Sequence, residues 1–147
     1  MILNLVVGVA LMMLCLVVQM LLLLSATHYY GNHLGWLNGT ALRRFTVVAI
    51  VMLLLLLGNL LQGAIWAGLF LLLKEFDAFS DALYHSLVNF STLGYGDIVM
   101  SERWRLLGPL QAVNGVLMIG ISTASIGTVV THALTQTLRS NADRAKN

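Results

Sequence analysis

The chain has 147 residues, 59% of them apolar and 10% charged, with a formal net charge of +2. So few charges cannot cover a soluble domain of this length, and so small an excess of base gives nucleic acid little to grip. The one cysteine, Cys15, supports neither a disulfide framework nor a metal cluster, and within an apolar stretch it reads as a packing residue.

The apolar excess falls in three stretches, each long enough to cross a hydrocarbon core that needs about 20 helical residues. The first runs from about Ile2 to Thr27. Its start, Met-Ile-Leu-Asn, lacks a positive n-region, and the run exceeds a signal h-region, which predicts a retained spanning helix. The connection His28 to Leu42 carries Tyr29, Tyr30 and Trp36, residue types suited to a membrane interface.

The second stretch, from about Phe45 to Leu73, is longer than the core is thick and is expected to tilt or project. Gly58, Gly63 and Gly68 recur along it and would let helices approach closely. Asn59 and Gln62 are polar at membrane depth, and interhelical hydrogen bonding accounts for them.

Between Lys74 and Arg105 the chain is too apolar for an aqueous loop. Ala78 to Phe90 predicts a helix of about three turns, too short to span, with Ser80 or Asp77 as its cap. A glycine-rich segment follows. A short helix and an irregular return describe a re-entrant loop, which membranes tolerate only where protein buries it or water lines it.

The third stretch, from about Leu106 to Leu138, is conspicuously polar for a spanning helix, and Pro109 falls where a first turn tolerates proline. At helical spacing Asn114, Met118, Ile121, Ser125, Thr128 and His132 lie near one stripe. Such a stripe faces water, as a pore lining, or hydrogen-bonds other helices.

Charge predicts the orientation. Arg43 and Arg44 precede the second stretch, and Arg139, Arg144 and Lys146 follow the third, with Asp143 alone against them. Glu75, Asp77, Asp81, Asp97 and Glu102 gather in the re-entrant region. The positive-inside rule puts the first connection and the carboxyl terminus in the cytoplasm and the re-entrant loop outside. Alternation then puts the amino terminus outside.

The segment Thr92-Leu93-Gly94-Tyr95-Gly96-Asp97 carries the chemistry. A pore selective for potassium must replace the ion's water with rings of backbone carbonyls. Successive carbonyls reach one axis when the backbone alternates between ordinary and left-handed conformations, which Gly94 and Gly96 permit. The segment resembles the signature of the potassium-channel pore family, with Leu93 in place of the commoner valine. The resemblance covers roughly Phe45 to Arg139, including Trp104 to Pro109 and Gly120 to Ala124. It extends to small bacterial members of the two-helix ion-channel family that carry an extra helix in front.

The resemblance implies an all-α membrane protein with three transmembrane helices, a re-entrant pore helix and a selectivity filter. Residues 1–40 would be the first helix and its cytoplasmic connection, and 41–147 the pore domain. Carbonyls of Thr92, Leu93, Gly94 and Tyr95, with the Thr92 hydroxyl, would bind K+, and Asp97 would stand at the outer mouth. Tyr84, eight residues before Thr92, would hydrogen-bond Asp97 and stiffen the filter, or simply pack the pore helix. Ile121, Ser125, Thr128 and His132 would line the inner pore, and Gly120 would be a gating hinge. One pore loop per chain requires four copies around an axis, a homotetramer.

The implied function is passive K+ conduction, with a weakly selective monovalent cation pore or a non-conducting adaptor with a relic filter as alternatives. The sequence has no nucleophile–base pair or phosphate loop and implies no enzyme. K+ as permeant ion takes the place of a cofactor, and the partners are the bilayer and further copies. The first stretch has no arginine ladder for voltage sensing, and the tail is too short for a soluble regulatory domain. A bacterial inner membrane is the expected location. His28, His33, His85 and His132 could titrate near neutrality, or serve only as hydrogen-bonding residues.

Overall fold

The computed structural model describes residues 1–37 and 40–146, and among them all regular structure is helical. In chain order these are α1 (Ile2–Asn32), α2 (Leu34–Leu37), α3 (Ala41–Leu72), α4 (Phe79–Phe90) and α5 (Leu107–Lys146). Three segments are long and apolar enough to cross a membrane: Ile2–Asn32, Leu42–Leu72 and Leu107–Leu138. The side chains of Trp36, Arg139, Asp143, Arg144 and Lys146, invoked above for the interface and the orientation, lie outside the described residues.

The helices outrun the apolar stretches because polar side chains continue them. α1 extends past Thr27 to Asn32, where the Asn32 amide reaches the His28 ring at 2.9 Å, one helical turn back. His33 stacks on Tyr29 with ring centroids 4.3 Å apart. Most of the expected first connection is therefore helix. α5 runs 40 residues without a break, and Pro109, its third residue, lies in the first turn as expected.

α4 starts one residue later than its apolar pattern suggests, and neither Ser80 nor Asp77 caps it. The N-cap is Ala78, in extended conformation, with no side-chain cap bond. Asp81 in the first turn opposes the positive end of the helix dipole instead.

The chain forms two compact units, Met1–Met20 with Gly58–Gly120 and Leu21–Leu57 with Ile121–Asn147. Each draws on all three long helices, so α1 contributes to both and does not stand apart from the residues after 40.

The first unit centres on Cys15, Trp66, Phe70, Ala82, Trp104 and Leu107, all buried. Glycines admit close contacts there, Gly8, Gly63 and Gly115 among them. A Cβ on Gly63 would come within 2.7 Å of Leu87 Cδ2, and one on Gly115 would overlap the Phe90 carbonyl. At Gly63 a flexible side chain can give way, whereas at Gly115 the obstacle is backbone. Gly68 meets nothing, so only part of the glycine pattern in α3 serves packing.

A polar seam runs through this apolar core. Gln62 Nε2 donates to Gln19 Oε1 at 2.8 Å, joining α3 to α1 as expected of a polar residue at depth. Gln111 Nε2 donates to Ser86 Oγ, which donates to the Gly63 carbonyl at 2.6 Å, tying α5 to α4 and α4 to α3. Asn114, on α5, is fully buried in the same core. The pairing is partial, since Gln62 Oε1, Gln111 Oε1 and the Asn114 amide are buried with no hydrogen-bond partner, which leaves a cost in the core.

The second unit has a smaller core of Ala26, Val51 and Leu55, packed by Leu23, Tyr29, Tyr30, Ile126 and Val129. Polar contacts tie its helices. The Tyr30 hydroxyl lies 2.7 Å from His132 Nδ1, and Arg44 Nη1 donates to Thr137 Oγ1 at 2.7 Å.

Candidate functional site

The site begins where α4 stops. Ser91 N–H reaches the Leu87 carbonyl at 3.0 Å, and Thr92 N–H the Asn89 carbonyl at 2.9 Å. Leu93 N–H then reaches back five residues to the Val88 carbonyl at 2.9 Å, which with the Thr92 bond makes a Schellman end that releases the chain from the helix. Thr92, Gly94 and Gly96 follow with φ of 60°, 59° and 72°. Every second residue is thus left-handed, the alternation expected of carbonyls that share an axis. Glycine adopts this φ without steric cost, whereas Thr92 bears a strain of about 1–2 kcal/mol. Leu93 and Tyr95 stand 55% and 66% exposed on this chain.

Four ties hold the return from this segment to α5. The Tyr84 hydroxyl donates to Asp97 Oδ2 at 2.7 Å, the bond expected from the family pattern. That bond is the main reason the Tyr84 hydroxyl is held above its usual pKa and the Asp97 carboxyl below its own. It favours the charged carboxylate and the neutral phenol, the two forms that suit each other. Asp97 Oδ1 also accepts the Ile98 N–H at 3.0 Å.

His85 makes the second tie. Its Nδ1 lies 2.9 Å from the Ile98 carbonyl, which can only accept, so Nδ1 carries the proton and donates. Nε2 is then left to accept from Asn89 Nδ2 at 2.8 Å. Phe70 and Phe76 flank the ring, with centroids at 5.7 and 5.1 Å. Burial is the leading cause that pushes the His85 pKa down, which suits the neutral ring that the hydrogen bonds require.

The third tie is Glu75, whose two carboxylate oxygens accept the Ser101 N–H and hydroxyl, each at 2.7 Å. The fourth is Asn4, buried near the start of α1, whose amide donates to the Arg103 carbonyl at 2.7 Å. Tyr84 was legible from the sequence. Glu75 and Asn4 were missed, because their partners lie 26 and 99 residues away and no local pattern announces them.

The α5 stripe divides. Asn114 and Met118 are fully buried by the chain's own helices, so the first part of the stripe faces protein and not water. Beyond it, Ile121 and Ser125 are half-buried, while Thr128 and His132 are exposed. Thr123, Thr131 and Thr135 widen the exposed hydroxyl face. α5 passes through Gly120 as continuous helix, and a Cβ there would meet nothing.

Three long apolar helices with polar side chains paired at depth define an integral membrane protein. Residues 60–132 match the family model described as "Ion channel", and the chain belongs to the two-helix ion-channel family. The match runs from the middle of α3 through α4, the Thr92–Asp97 segment and most of α5, and leaves α1 outside it. No curated protein and no solved structure matches the chain.

Proposed function

We propose that this ion channel conducts K+ selectively and that four copies of the chain build its pore around the Thr92–Asp97 segment. The observation that carries the reading is the left-handed backbone at Thr92, Gly94 and Gly96 within a potassium-type signature. In this reading α4 is the pore helix. Its carboxyl end, at Phe90, directs partial negative charge toward the cavity and favours a cation there. Carbonyls of Thr92, Leu93, Gly94 and Tyr95, with the Thr92 hydroxyl, replace the water of the ion. Tyr84 braces Asp97, and the exposed Tyr95 and Leu93 pack against the neighbouring copies.

α5 is the inner helix, with Ile121 toward the pore and Gly120 as the point of bending, whereas Ser125, Thr128 and His132 border the cavity shared with α1 and α3. The Asn4 bond brings the start of α1 to the loop after the filter, which supports an amino terminus on the same side as that loop. The carboxyl terminus is then cytoplasmic.

The test is flux from liposomes loaded with the reconstituted chain. The reading expects K+ to exceed Na+ flux by at least about tenfold, equivalent to ~1.4 kcal/mol of discrimination. It expects Gly94→Ala and Gly96→Ala to abolish the preference. Equal K+ and Na+ flux would replace it with the weakly selective pore, and no flux under varied pH and voltage would favour the adaptor.

A further inference from the structure

The second unit contains a half-open cavity of about 430 Å³ lined by residues of α1, α2, α3 and α5. That volume falls in the range of about 300–1,000 Å³ typical of small-molecule sites. Its walls are graded in polarity. Leu23, Val51 and Leu55 form an apolar part, whereas Tyr30 and His132 supply polar groups. Along α1 the lining runs from Leu23 to Tyr30, roughly 10 Å at about 1.5 Å per residue. The polar groups belong to the end of α1, two residues before it stops at Asn32, where a spanning helix meets the membrane surface. The apolar part belongs to deeper turns.

The Tyr30–His132 pair has a property that does not depend on the imidazole tautomer. A neutral pair holds one hydroxyl proton and one ring proton, and their mutual bond at 2.7 Å uses only one of them. If Tyr30 donates to Nδ1, the ring proton is on Nε2 and remains to be given. If Nδ1 donates to Tyr30, the hydroxyl proton remains. Either way the pair offers one donor beyond its own bond. The lining contains no acidic side chain. The other hydroxyls of the lining are turned inward, with Thr27 on the Leu23 carbonyl and Thr128 on the Ala124 carbonyl.

We propose that this cavity binds one long-chain fatty acid from the bilayer, with its tail among Leu23, Val51 and Leu55 and its carboxylate on the donor left by Tyr30 and His132. One tail suits the volume better than the two tails of a phospholipid, and one donor without a facing acid suits an acceptor head. A bound tail packs α1 against the half of α5 that carries Ser125, Thr128 and His132. The occupant therefore couples the first helix to the helix assigned above to the inner pore. Binding is independent of that assignment, and only the effect on current depends on it.

Gly31 provides the test. It lines the cavity, and a Cβ added there meets no atom within 4 Å, so a larger side chain enters open space without disturbing α1. Gly31→Phe fills the cavity, Gly31→Ala leaves it open, and Gly35→Phe, which also enters open space but lies outside the lining, is the control. The assembled protein in liposomes is photolabelled with a fatty acid carrying a diazirine on its tail, and peptides are mapped by mass spectrometry. A parallel sample receives a phospholipid with the same diazirine tail.

The expected result is fatty-acid labelling concentrated on 23–34 and 125–132. It should be displaced by excess unlabelled fatty acid and fall at least several-fold in Gly31→Phe but not in Gly31→Ala or Gly35→Phe. Labelling spread evenly over the lipid-facing helices, or unchanged by Gly31→Phe, would overturn the proposal. So would stronger labelling of the same peptides by the phospholipid that fatty acid does not displace. Loss of labelling in the folded, unaltered protein, as when a second copy fills the cavity, would overturn it too.

Discussion

The two compact units of this chain use the same three helices and hold them in opposite ways. In the first, a polar seam crosses the core, a glycine lets α5 come against the end of α4, and four side-chain ties fix the return from the Thr92–Asp97 segment. In the second, the apolar cluster around Ala26, Val51 and Leu55 is smaller, Tyr30 with His132 and Arg44 with Thr137 make polar contacts between helices, and a cavity lies among them. In the proposed reading the Thr92–Asp97 segment needs its oxygens held in place, while a helix that opens a pore must move. Dense, over-determined packing serves the first need, and sparse packing with few ties serves the second.

The largest effect should come from Gly115. A side chain there collides with the Phe90 carbonyl, and neither backbone can yield cheaply. Gly115→Leu should abolish assembly, read as loss of the oligomer on size-exclusion chromatography, whereas Gly68→Leu should assemble normally. Equal behaviour of the two would remove the close approach from the account.

Next is the Tyr84–Asp97 bond. Tyr84→Phe should lower K+ selectivity several-fold and speed the decay of current, with assembly intact. The pH dependence has a definite sign. Asp97 titrates below its usual range in the fold, so its contribution is present above the ordinary carboxylate pKa and is lost as pH falls through the lowered one. Tyr84 titrates above its usual range, so its contribution is present below about pH 10 and is lost as pH rises through the raised value. Between these limits the brace should be insensitive to pH, and Tyr84→Phe should flatten both edges of the selectivity profile.

His85 sharpens the same point from the buried side. Its pKa is depressed by burial, so its contribution is present above the ordinary histidine value near 6.5 and is lost as pH falls through the depressed one. Thermal stability of the oligomer should therefore fall on acidification below that range, and His85→Gln should remove most of this fall. An unchanged acid profile in His85→Gln would show that another group senses the proton.

The smaller effects divide the two units again. Gln62→Leu removes the amide contact between α3 and α1 in the first unit and should cost about 1 kcal/mol, with Gln19→Leu in the same chain restoring part of it. Tyr30→Phe in the second unit should cost about 0.5 kcal/mol or less, because the alternative partners of His132 are not sealed off. Denaturant-dependent loss of the oligomer reads both.

Much of this was legible in the sequence, for a physical reason that also marks the limit. Spanning helices announce themselves by length and hydropathy, and the filter segment by glycines whose backbone demands are local. Tyr84 and Asp97 could be paired because the family resemblance implies an aromatic donor eight residues before Thr92. What stayed hidden depends on distance along the chain. Asn4 with Arg103, Glu75 with Ser101, and Tyr30 with His132 join residues that only the folded helices bring together. The α5 stripe shows the limit most clearly. Spacing put Asn114 and Met118 on one face with Thr128 and His132. Which neighbour that face meets changes along the helix, and the first two are buried against protein. The caps of α4 failed for a related reason: Ser80 and Asp77 have the right chemistry, but the chain enters the helix at Ala78.

The most direct measurement is the reversal potential of currents through planar bilayers that hold the reconstituted oligomer between K+ and Na+ solutions. A reversal potential close to the K+ equilibrium value, collapsing toward zero in Gly94→Ala, is the result this account predicts. A reversal potential near zero in the unaltered protein, with current passing, would contradict it.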